Sequence, residues 1–98
     1  TDREKPQRFA ILDNHPNPFN PSTTISFTLH APGRVNLSLY SITGQKIRTL
    51  LAEYRTNESY RVVWDGKDEC GKAVSSGIYI AHLRAGKHTA SRRMALVR

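Results

Sequence analysis

Thr24-Ile25-Ser26-Phe27-Thr28-Leu29 alternates hydroxyl and apolar side chains one by one. Successive side chains of a strand point to opposite faces, so this spacing puts Ile25, Phe27 and Leu29 on one face and the hydroxyls on the other. The same period runs on in both directions. Beyond Pro32-Gly33, Val35, Leu37 and Leu39 alternate with Asn36, Ser38 and Tyr40, and after Thr43-Gly44-Gln45 the segment Lys46 to Ala52 returns as the second arm of a hairpin. Tyr60, Val62 and Trp64 alternate with Arg61, Val63 and Asp65. Ile78 to Arg84 and Thr89 to Val97, joined by Ala85-Gly86-Lys87-His88, form the last pair. Upstream, the apolar run Phe9-Ala10-Ile11-Leu12 stops at Asp13-Asn14, and Pro16, Pro18 and Pro21 rule out a helix after it. About seven short strands without helical periodicity predict an all-β, two-sheet antiparallel sandwich. Its predicted interior centres on Trp64, with Ile25, Phe27, Leu29, Val35, Leu37, Leu39, Ile47, Val62, Tyr79, Ala81, Leu83, Met94 and Leu96 around it.

At 98 residues, with 38% hydrophobic and 23% charged side chains, the chain is sized for one core and apolar enough to pack it. Its apolar stretches are far too short to cross a bilayer as a helix, and no charged-then-apolar leader opens it, so it reads as a soluble chain without an N-terminal address. A single cysteine, Cys70, closes no intrachain disulfide, and four scattered histidines offer no paired spacing for zinc, so no metal or cofactor is expected. The net charge of +7 is unevenly placed. Residues 1–69 hold nine basic and eight acidic side chains, whereas Cys70 to Arg98 hold six basic ones and no carboxylate. Such a segment attracts anionic partners, or it is a solvated strand face that discourages aggregation at a sheet edge.

Residues 1–8 are charged, contain Pro6 and read as a linker from a preceding domain; the folded unit is expected over 9–98. Asn14, Pro16, Asn17, Pro18, Phe19, Asn20 and Pro21 read as a stiff loop in which asparagine side chains satisfy nearby backbone groups and Phe19 pins the loop to the core. Gly33, Gly44 and Gly77 read as backbone positions that need a positive φ or a close approach. The loop from Asp65 to Gly71 gathers Asp65, Asp68 and Glu69 among glycines; calcium is the sharp reading, against the ordinary preference of Asp for turns, and the spacing does not fit an EF-hand.

Asn14-His15-Pro16-Asn17-Pro18-Phe19-Asn20-Pro21-Ser22-Thr23-Thr24-Ile25, Leu39-Tyr40-Ser41-Ile42-Thr43-Gly44-Gln45-Lys46-Ile47, Val63-Trp64-Asp65-Gly66, Ser76-Gly77-Ile78-Tyr79 and the ending Arg92-Arg93-Met94-Ala95-Leu96-Val97-Arg98 follow one another in order. Together they resemble the type A C-terminal sorting domain of the type IX secretion system. The Trp-Asp-Gly and Ser-Gly-Ile-Tyr region is similar to the immunoglobulin-like domain of the flagellar hook-capping protein. The resemblance runs from about Phe9 to Arg98. It implies an immunoglobulin-like β-sandwich without catalysis, which directs an N-terminal passenger through an outer-membrane translocon to the cell surface or the medium after passage through the periplasm. It also implies a sortase-like peptidase that removes the domain, and attachment of the passenger to anionic lipopolysaccharide. Lys87, Arg92, Arg93, Met94, Leu96 and Arg98 are then the candidates for translocon recognition, with Gly44, Trp64, Gly66, Gly77 and Tyr79 as structural positions.

Other classes fit the residues less well. No Ser or Cys stands in a nucleophile motif, so an enzyme is not expected. Nucleic-acid binding asks for aromatics interleaved with the cations, and Tyr79 is the only aromatic after Trp64. An accessory module, carbohydrate-binding or spacer-like, is the runner-up; a sugar-binding face needs exposed flat aromatics, which Tyr40, Tyr54 and Tyr60 supply only if Tyr60 leaves the core. A hook-cap-like assembly domain is expected to self-associate, where a sorting domain stays monomeric.

Overall fold

The computed structural model describes residues 9–18 and 22–97, with seven strands and no helix among them. These are β1 (Phe9–His15), β2 (Thr23–Leu29), β3 (Gly33–Ser41), β4 (Lys46–Arg55), β5 (Ser59–Trp64), β6 (Gly77–Ala85) and β7 (His88–Leu96). They form two antiparallel sheets, one of order β1-β2-β5 and the other of order β4-β3-β6-β7. The fold expectation therefore holds: each half-buried period-two segment is a strand, and the sandwich closes over the apolar faces. The linker residues 1–8, the loop residues Phe19, Asn20 and Pro21, and Arg98 lie outside the described residues.

Two turns show how local sequence sets the pairing. Ala85 pairs with His88 across the two-residue loop Gly86-Lys87, and Gly86 has φ 63° at the first loop position. That is the conformation a type II′ hairpin asks of glycine, and it fixes the β6–β7 register through Gly77↔Leu96. Between β3 and β4, Gly44 has φ 95° and donates its N–H to Ser41 O at 2.9 Å, while Ser41 N–H bonds Gln45 O at 2.8 Å. Gly33 differs from the expectation. It opens β3 without a positive φ, and a Cβ built there meets nothing within 4 Å, so nothing in its surroundings demands glycine.

Twelve of the fourteen predicted interior residues are buried, with Trp64, Ile25, Leu37, Leu39 and Leu83 fully enclosed. Ile47 and Val62 are only partly buried and pack against the core from outside. The reason is position: β4 and β5 are edge strands, so side chains of the inward set run out of neighbours on one side. β4 extends to Arg55, three residues beyond the expected Ala52.

Each open side of the sandwich is tied by an ion pair between the sheets. Arg48 of β4 reaches Asp65, just after β5, at 3.1 Å. Arg92 of β7 reaches Asp13 of β1 at 3.1 Å. Both pairs are partly solvated, so each ion pair by itself contributes at most about 1 kcal/mol.

Candidate functional site

The Pro-Asn segment is built around two asparagines. Asn14 ends up in β1 rather than in the loop, opposite Ile25 and therefore on the inward face, where it is buried. Both ends of its carboxamide are engaged: Oδ1 accepts from Arg92 Nε at 3.0 Å, and Nδ2 donates to Thr23 Oγ1 at 3.2 Å and to Pro16 O at 3.4 Å. The buried Thr23 hydroxyl in turn donates to Pro16 O at 2.8 Å. A closed polar network is how a buried amide is tolerated in an apolar interior.

Asn17 lies beyond the strand, with cis peptide bonds before Pro16 and Pro18. Its Oδ1 accepts from Ala95 N–H at 2.9 Å and its Nδ2 donates to Arg93 O at 3.2 Å. β7 is the last strand of its sheet, and the register with β6 turns the backbone groups of Arg93 and Ala95 away from that neighbour. The side chain of Asn17 thus occupies the place of one peptide unit of a further strand, closing part of the edge. Asparagine was expected to satisfy backbone nearby; its actual partners are 76 and 78 residues away.

The tail candidates separate. Met94 and Leu96 are buried core residues, and this corrects their place among the recognition candidates: in the folded domain no receptor reaches them. They alternate with Arg93, which is exposed on the opposite face. Arg92 shares the inward parity of Met94 and Leu96, but on this edge strand it reaches across to β1 and spends its guanidinium on Asn14 and Asp13. Lys87 is exposed in the β6–β7 turn. Among the described candidates, Lys87 and Arg93 are therefore the exposed cations without an ion pair to another described residue.

The register also assembles a surface that sequence reading did not single out. Tyr40 pairs with Lys46 on one side and Ile80 on the other, and Ile80 pairs with Arg93, so the four side chains form one row across the outer face of the larger sheet. Arg34 and Arg84 lie further along the same face. Alternation gave each outward position separately; only strand pairing puts them side by side.

The remaining motifs are structural. Trp64 donates its indole N–H to Lys67 O at 2.9 Å and meets the Tyr79 ring edge-on at 5.4 Å; the Tyr79 hydroxyl donates to Ser75 O at 2.6 Å. Gly66 is buried with φ 78°, which returns the chain beneath Trp64. In the acidic loop, Asp65 Oδ1 accepts from Arg48 and from Lys67 N–H, Asp68 Oδ1 from Cys70 and Lys72 N–H, and Glu69 Oε1 from Thr49 N–H at 3.0 Å. The carboxylates turn outward to separate partners. Among the described residues no three His, Cys, Asp or Glu side chains converge as metal ligands, so the calcium reading of Asp65, Asp68 and Glu69 finds no geometric support. Tyr60 stacks on Phe27 at 5.5 Å and stays on the inner face, so the tyrosines do not form the flat platform that a sugar would need.

Two facing antiparallel sheets, with one edge clipped by an asparagine loop and tied across by Arg92, define an immunoglobulin-like β-sandwich module. The chain belongs to the family of secretion system C-terminal sorting domains, whose model matches residues 14–97. Its fold is similar to part of dimeric latent PorU from Porphyromonas gingivalis (TM-score 0.67, 18% identity, 88% of this chain and 9% of that one). PorZ of the same organism, a surface component of the type-IX secretion system, gives a TM-score of 0.59 at 22% identity over 89% of this chain and 11% of its own. FlgD from Xanthomonas campestris, a hook-capping protein of the flagellum, gives 0.58 at 18% identity over 92% of this chain and 62% of its own. No curated protein matches the chain.

Proposed function

We propose that this domain is a C-terminal signal that is recognised by an outer-membrane translocon and carries an attached passenger out of the periplasm to the cell surface or beyond. The match of residues 14–97 to the sorting-domain family carries the reading. The domain acts as a non-catalytic, monomeric recognition element, with the chain before residue 9 as the linker to the passenger. A sortase-like peptidase cuts near that linker, and the passenger is left on anionic lipopolysaccharide or released. Lys87, Arg93 and Arg98 are the cations through which we place translocon contact.

The test fuses residues 9–98 to a periplasmic reporter in a host that has the type IX machinery. Deleting Ala90 to Arg98 is a poor variant, because it also removes Met94 and Leu96 from the core and unfolds the domain. The informative variants are Lys87→Gln and Arg93→Gln, at exposed positions. Export of the intact fusion with periplasmic retention of an unfused reporter is the required result; equal location of the two reporters ends the proposal. Full export of the double variant removes those two residues from the contact and leaves the sorting role standing.

A further inference from the structure

The outer face of the β4-β3-β6-β7 sheet has a composition that a merely solvated face does not need. None of the outward positions of its four strands is Asp or Glu, while Arg34, Lys46, Arg84 and Arg93 all lie on it. Cations on an exposed sheet ordinarily alternate with carboxylates across strands, because opposite-charge pairs stabilise and like charges repel. Here the carboxylates of the domain are elsewhere, and two of them serve as ties to Arg48 and Arg92.

The cations fall into two sets: Arg34 and Arg84 line one recess towards one end of the face, whereas Lys46 and Arg93 stand apart. In the row Lys46–Tyr40–Ile80–Arg93 the charged ends are separated by three strand spacings, about 14 Å, with an aromatic and an aliphatic side chain between them. Tyr40 meets His82 edge-on at 6.2 Å, and beside them a shallow recess of about 270 Å³ is lined by Tyr40, Ile42, Ile80 and His82. Ile42, on the wall of the recess, is 58% exposed. A phosphate polymer is best held by adjacent cations that share one phosphate, and gains nothing from an apolar centre. A polypeptide that offers one apolar side chain between carboxylates fits both parts: the side chain enters the recess and the carboxylates reach Lys46 and Arg93.

We infer that this face is a docking surface for an acidic protein partner that presents an apolar side chain flanked by carboxylates. The inference deepens the sorting reading, since it states what kind of surface the recognising component must offer.

The test has an export arm and a binding arm. In the reporter fusion, Lys46→Gln/Arg93→Gln and the neutral Tyr40→Ser are compared with Arg61→Gln and Val63→Ser, exposed positions on the other sheet. The expected result is a loss of export of about tenfold or more for both outer-face variants and wild-type export for both controls, with unchanged thermal midpoints of the purified variants. In the binding arm, the isotope-labelled chain is titrated with the capped peptide Glu-Asp-Leu-Asp-Glu and with its Leu-to-Ser counterpart. Amide shifts are expected around Tyr40, Ile80 and Arg93 with the first peptide and at least several-fold weaker shifts with the second.

Wild-type export of the outer-face variants overturns the docking surface. So does binding of lipopolysaccharide or phosphatidylglycerol vesicles through Lys46 and Arg93 that Tyr40→Ser leaves intact, because that is polyanion binding. Should Tyr40→Ser prove unstable, Ile42→Ser, at an exposed position outside the strands, takes its place. Failure of the wild-type fusion to leave the periplasm ends the sorting reading instead, and the peptide titration alone then decides the face.

Discussion

The carboxamide of Asn17 offers β7 one acceptor and one donor at the spacing of a peptide unit, a pair that only Asn and the longer Gln carry among side chains. Asn17→Ala removes both bonds, 2.9 and 3.2 Å long, from a solvent-facing edge. We expect a loss of about 1–2 kcal/mol in urea unfolding and faster hydrogen exchange at the Ala95 amide. An unchanged Ala95 exchange rate would show that the clip does not hold the edge in solution. Glycines give a contrast of sign. Gly44→Ala puts a Cβ at φ 95° and is expected to lower stability by about 1–2 kcal/mol. Gly33→Ala, in open space without a positive φ, should leave stability level or raise it by a few tenths of a kcal/mol. Matching losses at the two positions would contradict this account of the β3–β4 turn.

At the scale of the element, β7 is the strand on which core, charge and edge meet. Its inward set contributes Met94 and Leu96, and the next inward position, Arg92, satisfies the buried Asn14 Oδ1. Arg92→Ala leaves that oxygen without its donor, and we expect a cost of about 1–3 kcal/mol that persists in high salt, because a hydrogen bond to a neutral amide is barely screened. Asp13→Asn keeps an oxygen that can accept from the Asn14 N–H and removes the charge of the half-exposed ion pair, so it should cost under about 0.5 kcal/mol. Equal effects of the two, both abolished by salt, would reassign Arg92 to simple charge pairing. The parity of β7 could be read from its sequence, and with it the burial of Met94 and Leu96 opposite Arg93. The reach of Arg92 to β1 could not, since it joins residues 78 apart that only sandwich closure brings together. Ile47 and Val62 teach the same point: a period-two pattern shows which face a side chain takes, but not whether its strand is central or at an edge.

Across the whole molecule, charge is sorted by face. The excess of cations in the last third of the chain is visible in composition, but Arg34 and Lys46 come from the balanced first part and join Arg84 and Arg93 through pairing. Edges are managed at both sides: Asn17 on β7, and on β4 the bonds from Glu69 N–H to Ile47 O and from Thr49 N–H to Glu69 Oε1. With those edges occupied, we expect a single species of 11.1 kDa by sedimentation equilibrium at micromolar concentration. A concentration-dependent dimer would favour the assembly role of a hook-cap-like domain. Trp64→Ala acts at this scale too, because the indole joins β5 to β6 and to the Lys67 turn. A loss of about 3–5 kcal/mol is expected, enough to abolish cooperative unfolding of so small a domain.

The chain by itself determined the strands, their inward residues, the glycine turns and the ordered motifs of a sorting domain, because these depend on alternation and spacing along a few neighbouring residues. Tertiary structure alone decided which strands lie at edges, that Asn17 closes one of them, that Arg92 is a tie between sheets, and that Lys46, Tyr40, Ile80 and Arg93 share a row. Each of those facts requires a pairing partner far away in sequence. Local chemistry sets which way a side chain points, whereas its neighbours are fixed only when the two sheets close on each other.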